Sequence, residues 1–169
     1  MVNIVLVSVL VICVITDIKS RKILNVVTLP TIVFGLTYNL FNTGFDGFLF
    51  SGKGFLVGLG LLFIPYILGG IGAGDVKLMA AIGALMGSSF VFYSFIYTAL
   101  FGGAIALILI IKKKGLSNII KSTFFNVVFF KCNLGSIILT KDKNSSISFP
   151  YGVAIVLGTF YLLVWGGFQ

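Results

Sequence analysis

Six apolar runs divide this sequence, and their lengths leave few folds open. A helix that crosses a bilayer needs about 20 apolar residues, with a tolerated range of about 17–25. The runs cover Val2–Thr16, Val26–Phe41, Gly54–Ile71, Val76–Gly87, Phe90–Ile111 and Phe149–Gly167. Of the 169 residues, 59% are hydrophobic and only 9% are charged, against about 25% charged in a water-soluble domain. A soluble fold is therefore excluded. The expected fold is all-α, a polytopic membrane helical bundle of about six transmembrane helices that forms a single domain over residues 1–169. The first run does not read as a secretory signal, because no basic region precedes it and no small-x-small site follows it.

Charge placement orients the bundle. Lys19, Arg21 and Lys22 follow the first run, which puts its end in the cytoplasm and the N-terminus outside. Alternating from there, the cytoplasmic segments also hold Lys77, Lys112, Lys113, Lys114, Lys121, Lys131, Lys141 and Lys143, and the exterior holds only Lys53. Basic residues mark the cytoplasmic side of membrane proteins. The net charge of +8 is then a topology signal, and no nucleic-acid partner is expected. The insertion at about residues 112–148 contains Phe124–Phe130 between Lys121 and Lys131, too short to cross. It reads as an interfacial helix on the cytoplasmic side, its lysines facing anionic lipids of the inner leaflet.

Chemistry has few candidates here. The chain has no His and four acids, all of them Asp, so His or Glu acid–base catalysis and a His-liganded metal site are excluded. Cys13 and Cys132 form no CxxC pair, so no metal or cofactor is expected, and both read as apolar fillers. Asp46 falls in a short exterior loop and Asp142 between two lysines of a cytosolic loop. Asp17 ends the first run, and Asp75 follows the third. Both runs finish on the cytoplasmic side, so Asp17 and Asp75 share one membrane boundary. Two carboxylates at a water-accessible notch can divide peptide hydrolysis between them. Like charges held close cannot both ionise, so one keeps its proton and the pair titrates as a unit. The ionised member activates a water while the protonated one donates to the scissile carbonyl. The run Gly69-Gly70-Ile71-Gly72-Ala73-Gly74 before Asp75 permits unusual backbone angles, which at membrane depth are tolerated only beside protein or a water-filled cavity.

Gly72-Ala73-Gly74-Asp75 matches the GxGD motif of intramembrane aspartyl proteases, and the longer Gly-Ala-Gly-Asp-Val-Lys-Leu resembles type IV prepilin peptidases. Asp17 begins Asp-Ile-Lys-Ser-Arg-Lys-Ile-Leu-Asn, similar to that family's first aspartate with its following Arg, Ile and Asn. Phe149-Pro150-Tyr151-Gly152-Val153-Ala154 resembles its closing Pro-Phe/Tyr-Gly segment, with Val153 where a second Pro is usual. The resemblance implies Asp17 and Asp75 as the catalytic pair. It also implies Gly72 and Gly74 as the loop that frees the backbone, with Lys77, Arg21 and Asn25 as supporting residues. The implied reaction removes the basic leader of a prepilin-like or pseudopilin substrate at the cytoplasmic face of the bacterial inner membrane. Long members of that family also carry paired CxxC motifs and N-methylate the product. This chain is more similar to the short Tad-type and preflagellin peptidases, so no methyltransferase activity is expected.

Blander readings stand beside these. Asp17 can be a polar stop at a span end, Asp75 with Lys77 a buried ion pair, and the Gly run a seam for close packing. Gly83, Gly87, Gly102 and Gly103 read as packing glycines, Pro65 as a kink in the third span, and Tyr151, Tyr161 and Trp165 as span or interface aromatics. The alternative function is a non-catalytic membrane component, or a small transporter subunit, of a pilus or secretion apparatus.

Overall fold

The computed structural model describes residues 1–20, 23–114 and 151–166. Five helices make up the described structure: α1 Val2–Ser20, α2 Asn25–Thr43, α3 Phe45–Ile67, α4 Ala73–Lys114 and α5 Tyr151–Trp165. Among the described residues there is no strand. In lipid a chain must satisfy its backbone polar groups internally, and a helix does so within one segment. Three helices are long and apolar enough to cross a membrane: α1, α3 and α4 over Ala73–Ile108. The protein is a helical membrane protein. Residues Met1–Gly102 and Pro150–Gln169 form one compact unit and Gly103–Phe149 another. Of the second unit the described part is the last stretch of α4, and the expected interfacial segment Phe124–Phe130 lies outside the described residues.

The first unit is organised around the first half of α4. Val76, Leu78, Met79, Ala80, Ala81, Ile82, Ala84 and Leu85 are all buried, and a helix apolar on every side belongs in the middle of a bundle. Helices in lipid gain little from hydrophobic burial and associate instead through close backbone approach at small residues. Gly54 of α3 lies backbone to backbone against Gly83 of α4, and Gly58 lies against Met79 and Ala80, so α3 runs antiparallel to this half of α4. Gly35 of α2 meets the backbone of Ala84 and Leu85, while Asn25 at the start of α2 meets Lys77, so α2 runs parallel to it. Gly44 alone (φ 67°) links α2 to α3, and its N–H donates to Leu40 O at 2.9 Å.

The sequence separates a fourth apolar run from a fifth, and the structure joins them in one helix broken at Gly87 (φ 84°, ψ 177°). The chain reverses there. Gly87 lies against the ring of Phe50, near the start of α3, whereas Gly102 lies 3.6 Å, measured from an added Cβ, from the ring of Tyr151. Tyr151 is also within electrostatic reach of Asp75. A straight helix from Asp75 to Gly102 would span about 40 Å, so one tyrosine can be near both only if α4 doubles back. The expectation that Gly87 serves only packing is corrected: its backbone angles are those that only glycine adopts readily. One loop assignment also changes. Asp46 sits in the first turn of α3 and Lys53 within the same helix, both exposed, because α3 begins nine residues before the apolar run does.

From Ser94 to Gly102, α4 packs antiparallel to α5. Ser94 and Thr159 hydroxyls share a hydrogen bond of 2.6 Å, and Gly158 lies against the backbone of Thr98. All three hydroxyl residues here, Ser94, Thr98 and Thr159, are fully buried, and Thr98 and Thr159 also donate to carbonyls one turn earlier.

Candidate active site

Asp17 is the last member of an inward stripe on α1. Leu6, Leu10, Cys13 and Asp17 are buried at spacings of four, three and four, whereas Ile4, Val11, Ile15 and Ile18 are exposed. That periodicity turns the carboxylate into the bundle rather than toward lipid or water. Only 5% of Asp17 is exposed. Its carboxylate meets the first turn of α5: a Cβ added to Gly152 would stand 2.6 Å from Asp17 Oδ2 and 3.0 Å from its Cγ. Helix N-termini attract anions because their first N–H groups lack intrahelical partners. Even so, Oδ2 is buried without a hydrogen-bond partner among the described residues.

Asp75 owes its position to how α3 stops and α4 starts. Gly69 (φ 75°) donates to Tyr66 O at 2.9 Å and Gly70 to Pro65 O at 3.0 Å. These two bonds form a Schellman end, with glycine at the left-handed position. Pro65, read from sequence as a kink in this span, stands in the last turn of α3, where its carbonyl accepts the Gly70 bond and leads into the stop. Gly72 then precedes α4, and Asp75 is the third helical residue. Its N–H donates to Gly72 O at 3.1 Å, and its Oδ2 accepts from Gly72 N–H at 3.2 Å. This is the returning half of a capping box, in which the third helical residue satisfies the capping residue's N–H. Such acids are ordinarily solvated, but Asp75 is 9% exposed.

The two carboxylates are within electrostatic reach of each other. Cys13, one turn before Asp17, lies within reach of both. Among the described residues no Lys or Arg nitrogen forms an ion pair with either acid. The expected alternative of an Asp75–Lys77 pair is not what forms, because Lys77 Nζ donates to Asn25 Oδ1 at 2.9 Å instead. That bond brings together two of the supporting residues named from sequence. Gly74 is in place beside the site, and Arg21 lies outside the described residues. Two residues not singled out complete the surroundings. Gly152 gives the Asp17 carboxylate room. Ile23 contacts both Gly74, whose added Cβ would stand 2.9 Å from Ile23 Cβ, and Gly152, whose added Cβ would stand 3.3 Å from Ile23 Cδ1. Both belong to the motif segments already quoted, which is the one signal that could have found them.

Chemically, the arrangement offers two buried carboxyl groups that form no ion pair among the described residues. The Asp17 carboxylate faces the backbone N–H groups of Gly152 and Val153 at the start of α5, and its Oδ2 has no well-aligned hydrogen-bond partner among the described residues. No curated protein and no solved structure matches the chain. The family model described as the type IV leader peptidase family matches residues 4–107. That match covers more than half of the chain and includes Asp17, Asp75 and the Gly-rich turn between α3 and α4. The chain belongs to the type IV leader peptidase family.

Proposed function

We propose that this protein is an intramembrane aspartyl endopeptidase that removes the leader from prepilin-like or pseudopilin proteins, with Asp17 and Asp75 as the catalytic pair. The observation that carries the reading is two acids from distant segments, buried at one end of a helical bundle and paired with no cation among the described residues. Burial without a counter-ion is costly for a structural acid and is common where a carboxyl group must trade protons. One carboxylate takes a proton from a water, whose oxygen attacks the scissile carbonyl carbon. The other, protonated, donates to the carbonyl oxygen. The tetrahedral intermediate then collapses as the C–N bond breaks: the leaving nitrogen takes the proton that the first carboxylate drew from water, and the second carboxylate regains its proton from the hydroxyl of the intermediate.

In this reading the chain crosses the bacterial inner membrane six times with its N-terminus outside. The aspartates lie at the cytoplasmic face, near Lys19 and Lys77 and the anionic lipids that such charges favour. Peptidase chemistry alone is proposed, without N-methylation, since Cys13 and Cys132 make no CxxC pair. A non-catalytic role in a pilus or secretion apparatus draws on one observation, the capping bond of Asp75, which would serve a helix start without any chemistry. The two readings separate in membranes that contain the chain and a candidate prepilin. Asp17→Asn or Asp75→Asn should each lower leader cleavage by about 10²–10⁴-fold while insertion persists, and Asp46→Asn should cleave normally. Full cleavage by both site variants would remove the aspartyl assignment.

A further inference from the structure

We propose that Ile23 is a positioning residue that sets the spacing of the two aspartates, an inference that rests on the aspartyl-protease reading above. Gly74 is the second residue of α4 and Gly152 the second of α5. Ile23 is wedged between them. A Cβ added to Gly74 would meet Ile23 at Cβ (2.9 Å), O (3.3 Å) and N (3.4 Å), and one added to Gly152 would meet its Cδ1 at 3.3 Å. Each of these helix starts lies against one of the two acids. Asp75 follows Gly74 in the chain, and the Asp17 carboxylate rests on Gly152. One isoleucine side chain therefore spans the gap between these two helix starts.

The wedge is stiff and anchored. A β-branched side chain has a restricted χ1, so Ile23 resists compression better than an unbranched residue would. Two positions later Asn25 accepts the 2.9 Å hydrogen bond from Lys77, which itself lies two positions after Asp75. The Leu24 carbonyl accepts from Val27 N–H at 3.1 Å and Thr28 N–H at 3.3 Å, which fixes the entry into α2. Ile23 is thus held against α4 on one side and presents its Cδ1 to α5 on the other. Two carboxyl groups that must serve one water and one carbonyl tolerate little change in separation, and a displacement of about 1 Å can lower a rate by about 10²-fold.

A positioning role separates from the alternatives by where the defect falls. A substrate contact would appear in KM, and a purely structural role in melting temperature and membrane yield. The test compares Ile23→Ala, Ile23→Val and Asp17→Asn in the full chain, in membranes, on a prepilin that the wild type cuts. Ile23→Ala should lower kcat roughly 10–100-fold with KM within about twofold of wild type. Ile23→Val lacks only the Cδ1 that reaches Gly152, so it should fall between Ile23→Ala and wild type while melting normally. Wild-type kcat in both Ile23 variants overturns the proposal, and so does a defect confined to KM. If Ile23→Ala does not accumulate, Ile23→Val decides alone: reduced kcat supports the role, and wild-type kcat overturns it. Inactive Asp17→Asn beside fully active Ile23 variants removes only the positioning role. Active Asp17→Asn removes the aspartyl reading itself, and the inference with it.

Discussion

Gly152→Ala places a methyl group against Asp17. The added Cβ would lie 2.6 Å from Oδ2, where ordinary contact begins at 3.4 Å, so a gap of about 0.8 Å must open. Helix α5 is poorly able to supply it. Gly158 already lies against the Thr98 backbone, and the 2.6 Å Ser94–Thr159 bond pins the same face. The carboxylate must therefore move, in surroundings that leave Asp17 5% exposed and with Ile23 Cδ1 on its flank. Scaling from about 10²-fold per ångström of misplacement, kcat should drop roughly 30–100-fold. Stability should change much less. Overpacking costs about 1–3 kcal/mol, and replacing glycine by alanine in a helix returns up to about 1 kcal/mol, so the net loss is about 0–3 kcal/mol. Leader cleavage kinetics in membranes and thermal unfolding in detergent measure the two quantities. A Gly152→Ala variant that cleaves at the wild-type rate would refute the claim that this glycine sets the position of the Asp17 carboxylate. A loss of activity fully explained by unfolding would refute it as well.

Two predictions concern the scaffold. Gly87→Ala forces a side chain onto backbone angles open only to glycine and into the Phe50 ring, which should destabilise the bundle by roughly 2–5 kcal/mol; an unchanged melting temperature would contradict the reversal at this residue. Ser94→Ala removes one buried interhelical bond and leaves Thr159 bonded to Ile155 O. It should destabilise by about 0.6 kcal/mol and not more than about 1.7 kcal/mol, so a larger drop in thermal unfolding would show that the Ser94–Thr159 seam does more than join α4 to α5.

Much of the bundle could be read from the sequence because lipid makes demands that composition records. Apolar run length announced helices, and the ends of those runs placed Asp17 and Asp75 at a common boundary before any contact was known. The stripe Leu6, Leu10, Cys13, Asp17 could have been found by the same periodicity that finds any buried helix face. Contacts between distant segments left weaker marks. Nothing in Gly152 itself says that a carboxylate from α1 presses on it, because the two residues meet only through tertiary packing. Ile23 could be read only as the Ile of the motif after Asp17, with no sign of its contacts to Gly74 and Gly152. The start of α3 was misjudged because Asp46 looked like a loop residue, although an exposed helical face accepts charges readily. Gly83 and Gly87 look alike in the sequence, yet one allows a close helix crossing and the other reverses the chain.

The single-residue reversals at Gly44 and Gly87 bear on how the chain enters the bilayer. In the six-span reading, each joins two passages through a turn of a single residue. The Gly44 turn is already internally bonded, its N–H on Leu40 O, so translocating it exposes little unsatisfied backbone. Each pair of passages can then insert as a closed hairpin. Damage at either turn should accordingly surface during biogenesis, as chains that fail to adopt their topology, and not as a slower enzyme.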